Sequence, residues 1–192
     1  MIVNISKVLQ ESNLIDEFIK NEVDSISPER LATKPNPETW SIIEVIQHLN
    51  LVSDLYYPRF ESAIKKLNTQ AFEGEIADNQ KVSWIAGQLA NMMKPKGNKR
   101  KLKMDTFDFF KPERAQLDVE KILNTYKDNR AKLNHYIKMS RKPIARRVVV
   151  TSAIKLLKFT LPEAIYWLLS HEQRHIIQIQ EIQFFVQKKE VV

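Results

Sequence analysis

Two histidines four residues apart, His171 and His175, are the side chains best placed for chemistry in this sequence. The apolar spacing from Ser170 to Phe185 is helical. On a helix an i, i+4 pair stands on one face, one turn apart, which lets two imidazoles share one divalent ion. The string His171-Glu172-Gln173-Arg174-His175 also matches HExxH, the zinc-protease helix. That reading fails on its surroundings. Its extended form needs Gly at 178 and His at 181, where this chain has Gln178 and Glu181. Glu181 lies six residues past His175, about 240° around a continuous helix. Glu190 is the one side-chain carboxylate farther on, and no strand meander is legible to hold a peptide. Glu172 keeps a reading as a neighbour of a metal-activated water.

The elements that must position these histidines read as helices. On the last one, Leu168, His171, His175, Gln178 and Ile182 form one seam facing the core. Inward imidazoles need polar partners. Thr160-Leu161-Pro162-Glu163 opens this helix, with Thr as cap and Glu at the third position, and it runs to about Lys188. A third inward histidine, His48, sits mid-way along an earlier helix that begins near Glu38-Thr39-Trp40-Ser41. There Ser41 and Glu44 have capping-box spacing, with Thr39 an alternative cap. This helix is apolar over a wide face (Ile42, Ile43, Val45, Ile46, Leu49, Val52) and continues past Pro58 to about Asn68. A first helix spans 4–24, and Pro28-Glu29-Arg30-Leu31 adds one turn. A third long helix is expected from Pro112 at its first position to Lys138.

Residues 69–111 form a long connection holding a short helix within Gln80–Met93, with Val82, Ile85, Leu89 and Met92 on one side. Its run Lys94–Lys103 has six basic residues in ten. A solvated loop is the plain reading, ahead of binding to nucleic acid, an anionic membrane or an anionic substrate; no aromatic interleaves the charges to stack a base. Arg146–Thr151 looks strand-like but lacks an evident partner and is taken as extended loop. Four long helices imply an all-α four-helix bundle in one domain, residues 1–192, with a partly helical connection between its second and third helices. Bundle cores build metal sites from facing helices, and three neutral imidazoles leave coordination positions open.

Composition agrees with this outline. The 192 residues are 43% hydrophobic and 28% charged, with three Gly and no Cys. Scarce glycine disfavours an all-β chain, and the missing cysteine excludes disulfides, thiolate-ligated zinc and a cysteine nucleophile. No signal peptide or run of about 18 apolar residues is legible, so a cytoplasmic protein with no membrane segment is expected. The net charge of +7 is partly local to the basic run.

Three segments carry a family resemblance: Asn13-Leu14-Ile15-Asp16-Glu17-Phe18, Pro37-Glu38-Thr39-Trp40-Ser41 through His48-Leu49, and His171 through Ile179. Together with Lys103 to Pro112 they resemble the DinB/YfiT-like family, whose pattern joins a WSxxExxxHL helix to a terminal HxxxHxxQ helix. The resemblance implies a bundle of up-down-down-up order and a divalent-metal site with His48, His171 and His175 as ligands. Ile176-Ile177 departs from the commoner Arg-Gly after the second histidine. Zinc or nickel is the implied metal. Known activities in the family imply a thiol S-transferase that joins a low-molecular-weight thiol (bacillithiol, mycothiol or glutathione) to an electrophilic small molecule. The competing class is a non-catalytic bundle that binds a metal or ligand; a metal-dependent hydrolase and a nucleic-acid-binding protein rank below both. Glu44, one turn before His48, is a candidate hydrogen-bond acceptor for an imidazole N–H, with capping an equal reading, and Gln178, one turn past His175, is a candidate to bond a metal-bound water or a ligand. His135 reads as surface, Trp40 as an anchor for its helix, and Trp84 and Trp167 as core. Three core histidines without metal remain the plain alternative. An exposed bundle face is compatible with a homodimer.

Overall fold

Most of the helices start at a residue whose side chain accepts an otherwise orphaned backbone N–H. The computed structural model describes residues 1–67, 74–97, 99–100, 106–112, 117–153 and 157–190. Helix α1 (Ile5–Phe18) is capped by Asn4 and continues as one π-helical turn, Ile19–Val23. The short α2 (Pro28–Ala32) is capped by Ser27. Helix α3 (Ile42–Lys65) opens with a full capping box. Glu44 N–H donates to the Ser41 hydroxyl, and Ser41 N–H donates to Glu44 Oε2 at 2.7 Å. Ser41 is therefore the cap, and Pro58 lies inside the helix. Helix α4 (Trp84–Met93) is capped by Ser83. Helix α5 (Val119–Ser140) is capped by Asp118, so it begins later than the expected Pro112. Helix α6 (Leu161–Glu190) completes the bundle; the Thr160 hydroxyl expected to cap it accepts no backbone N–H, and only the reciprocal contact forms, with Thr160 N–H donating to Glu163.

Hydrogen bonds between helices give their directions. Gln173 on α6 donates to Glu11 of α1, and Gln183 to the Glu22 carbonyl, so α1 and α6 run in parallel. Ser12 meets Asn134 while Asp24 meets Lys127, so α5 opposes α1. On α3, Asn50 donates to the Ile122 carbonyl and Tyr57 to the Asn129 carbonyl, so α3 and α5 run together. The order is up-down-down-up, as expected. The core is fully buried Ile5, Ile43, Ile46, Tyr56, Phe60, Tyr126, Ile137, Ile165, Leu169 and Ile179. Each such side chain contributes about 1.5–3 kcal/mol of transfer free energy.

The sequence reading missed two short antiparallel strand pairs. Strand β1 (Ile2–Asn4) pairs with β2 (Asn79–Lys81), Val3 opposite Gln80. Strand β3 (Val149–Thr151) pairs with β4 (Lys158–Thr160), Val150 opposite Phe159. The supposedly partnerless Arg146–Thr151 stretch thus ends in a paired strand, after a 3-10 turn at Pro143–Arg147. Helix α4 follows the expectation in part. Of the expected side, Val82 is buried and Leu89 packs partly against the core, but Ile85 (56%) and Met92 (43%) are exposed with Trp84 (73%), and the fully packed face is Ala86, Gly87 and Ala90. A Cβ on Gly87 would lie 3.0 Å from the Met1 side chain, so glycine admits that close approach. Among the described residues, no helix is long and apolar enough to cross a membrane.

Candidate metal centre

Helices α3 and α6 run antiparallel, which brings His48 level with His171 and His175. The Nε2 atoms of His48 and His171 are 3.3 Å apart, and those of His171 and His175 3.2 Å. One ligand atom from each ring lies within 4.8 Å of the others. His48 and His175 are buried and His171 is half-buried.

The outer nitrogens decide which atoms face inward. His48 Nδ1 is 2.8 Å from the Phe110 carbonyl oxygen. A carbonyl only accepts, so Nδ1 carries the hydrogen and Nε2 presents a bare lone pair. His175 Nδ1 donates likewise to Gln178 Oε1 at 3.0 Å, again leaving Nε2 bare. A single hydrogen on His171 Nε2 satisfies at most one of these two lone pairs. A cation would satisfy all three. A tetrahedral ion with bonds of about 2.0–2.1 Å spans ligand nitrogens about 3.3–3.4 Å apart, close to both of these separations. The residues therefore fit a divalent metal in donor type, tautomer and spacing.

Electrostatics keep the rings neutral. Burial lowers the His48 pKa, partly opposed by the Phe110 carbonyl. Burial, then His48 and Arg174, hold His171 well below the usual imidazole value. Burial and the other two imidazoles do the same for His175. A neutral imidazole is the form that binds metal.

Glu44 does not reach out to an imidazole as the alternative to capping required. Its carboxylate accepts from Ser41 N–H and, at 2.7 Å, from the Lys34 ammonium. The His48 acceptor is instead a backbone carbonyl, in the 3-10 turn Asp108–Phe110. No side-chain motif could reveal it. Glu172 points away from the cluster into α5, where it accepts from Tyr126 and Arg130, so it is not placed as a neighbour of a metal-activated water. His135 is exposed.

Two tryptophans read as anchor and core lie against the site. Trp40 approaches His48 with ring centroids 5.2 Å apart. Trp167 stacks on His171 at 5.2 Å and 12°. Trp84, also expected in the core, is exposed on α4. In the basic run, Lys94 pairs with Glu11 at 3.2 Å and Arg100 with Glu181 at 2.6 Å. Lys101–Lys103 lie outside the described residues.

A family model described as the DinB superfamily matches residues 19–179. Among solved structures, the chain is similar to YfiT from Bacillus subtilis, described as "a probable metal-dependent hydrolase with an unusual four-helix bundle topology". That likeness has a TM-score of 0.55 at 16% identity, covering 94% of this chain and 86% of that one, and speaks for the fold. No curated protein matches the chain.

Proposed function

The chain belongs to the DinB superfamily, and from that premise and the imidazole geometry we propose that it is a divalent-metal-dependent enzyme. His48, His171 and His175 are the proposed ligands, through Nε2. The finer reading is transfer of a low-molecular-weight thiol to an electrophilic small molecule. The observation that carries it is the donor set: three neutral imidazoles, two of whose Nε2–Nε2 separations suit a tetrahedral ion, and no carboxylate in the cluster among the described residues.

Neutral donors leave the charge of a divalent ion uncompensated, which favours an anionic guest such as a thiolate. The chemistry a bound ion supplies is Lewis-acid activation, making a thiol or a water acidic enough to release its proton near neutrality. The protein's own part is orientation. Phe110 and Gln178 fix two imidazole tautomers, and Trp40 and Trp167 wall the rings of His48 and His171. Glu44 is held by Lys34 and Ser41, and Glu172 by Arg130 and Tyr126, so neither is available as a general base. A thiol, with an ordinary pKa of about 8.5, is the nucleophile that least needs one. Imidazole does not select sharply between zinc and nickel. Metal-dependent hydrolysis is the second reading, favoured by the description of the YfiT structure.

Protein purified without a metal-affinity tag is expected to carry close to one divalent ion per chain by elemental analysis. His48→Ala and His171→Ala should lose it while keeping helical content; unchanged metal content in either overturns the site. Monochlorobimane conjugation with a panel of cellular thiols should require the metal. Metal-dependent cleavage of ester or amide substrates without conjugation would replace the transferase reading with the hydrolase.

A further inference from the structure

Beside His171 and His175 the bundle holds a second polar cluster that the metal reading leaves unused. Arg130 on α5 is 4% exposed. Its guanidinium donates to Asp16 at 2.8 Å, to the Ser12 carbonyl at 2.7 Å, to the Ser12 hydroxyl at 2.5 Å and to Glu172. Glu172, 6% exposed, also accepts the Tyr126 hydroxyl at 2.7 Å. Asn134 donates to the second Asp16 oxygen at 2.8 Å. One guanidinium thereby ties α1, α5 and α6 together.

Stability alone is a poor account of this cluster. Burying a guanidinium and a carboxylate is costly, and apolar replacements of such pairs are often no less stable. What a planar guanidinium supplies is a single permitted orientation. Glu172 follows His171 directly and precedes His175 by three residues. The helix rotation that satisfies Glu172 therefore also sets where both imidazoles point. A ring nitrogen about 6 Å from a helix axis moves about 1 Å for each 10° of rotation, whereas metal–ligand distances tolerate about 0.2 Å.

We propose that the Ser12–Asp16–Arg130–Glu172–Tyr126 network is a positioning device that pins the rotation of α6 against α1 and α5, so that His171 and His175 meet His48 from α3. Its consequence for metal affinity rests on the function proposed above; its consequence for ring positions does not.

The test uses two variants of the full chain. Tyr126→Phe/Arg130→Met/Glu172→Leu removes the two buried charges and the hydroxyl, and leaves only the part-exposed Asp16 charged. Arg130→Lys keeps the charge and removes the fork. Two quantities are read after circular dichroism and a cooperative melt have confirmed folding. One is the set of nuclear Overhauser cross-peaks between His48 and the other two rings in metal-free protein, whose centroids are 5.2 and 4.7 Å away. The other is zinc affinity by chelator competition. Positioning predicts loss of the cross-peaks and at least tenfold weaker zinc binding in the triple variant, with a smaller change of the same sign in Arg130→Lys. Wild-type cross-peaks and unchanged zinc affinity in either folded variant overturn it, as do wild-type protein lacking the cross-peaks and a triple variant that folds and melts as before with all readouts intact. Wild-type protein with the cross-peaks but no zinc affinity overturns the metal function instead, and the cross-peaks of the variants then decide the positioning.

Discussion

Gln178 acts on the cluster through one hydrogen bond, and that bond can be removed without touching a proposed ligand. Gln178→Leu keeps the volume and leaves the His175 Nδ1–H without its acceptor. Loss of such an orienting acceptor typically weakens metal binding about 10- to 100-fold. That is the expected result for zinc in a chelator-competition titration, and wild-type affinity would show that the ring is held by packing alone. The matching acceptor on His48 is the Phe110 carbonyl, which no side-chain substitution deletes. At this scale the two kinds of acceptor differ in legibility. Gln178 is visible from helical spacing, one turn beyond His175. Phe110 lies 62 positions from His48 and offers only its backbone, so residue types say nothing about it.

At the scale of elements, Glu163 joins two helix starts. Its carboxylate accepts from Thr160 N–H at 2.8 Å, in its own first turn, and from Ser83 N–H at 2.7 Å, at the start of α4. Glu163→Ala orphans both donors and should cost about 1–2 kcal/mol in urea denaturation at pH 7. Burial pushes this carboxyl up, but the Ser83 and Thr160 amides outweigh it and its pKa lies below the ordinary value. A lowered folded-state pKa means the contribution is complete above the ordinary carboxylate range and is lost as pH falls through the lowered value. The stability gap between wild type and Glu163→Ala should therefore narrow on acidification. A gap that is constant with pH would remove the carboxylate from the explanation. Helix starts were mostly readable, since Ser41 with Glu44 and Thr160 with Glu163 are local patterns, although at α6 only the Glu163 half forms and the Thr160 hydroxyl accepts no N–H. The start of α5 was not: Pro112 suits a first turn, yet Asp118 caps the helix, and proline is permitted in other extended segments too. The exposed apolar face of α4 misled for a related reason. Small residues bury no large area, so periodicity pointed to Ile85 and Met92 along with Val82 and Leu89, which do pack, and passed over Ala86, Gly87 and Ala90, which pack most closely.

For the molecule as a whole, the proposed ligands come from two helices, His48 and His171 being 123 positions apart. An ion held by both would cross-link α3 to α6 and bind only the folded chain. Zinc at 1,000 times its dissociation constant should then add about 4 kcal/mol, or about 8–16 °C in melting temperature for a chain of this size. Chelation should reverse the shift, and His48→Ala should abolish it. A melting temperature indifferent to zinc and chelator would count against a shared ion.

Helix existence, the core seam of α6 and the three inward histidines were legible in the amino-acid order, because helical periodicity and capping are properties of neighbours within a few residues. The DinB/YfiT-like pattern carried the bundle order as well. Other features needed the folded chain. Strand β1 finds β2 more than 70 positions away, and a three-residue strand has no periodicity to display. Trp40 looked like an ordinary anchor and Trp167 like ordinary core until antiparallel packing laid them on His48 and His171. Glu172 sat inside a protease-like string, and only the contact with α5 turned it into the partner of Arg130 and Tyr126. Local spacing specifies which face of a helix a side chain occupies; what that face meets is settled by the rotation and pairing of helices distant in the chain.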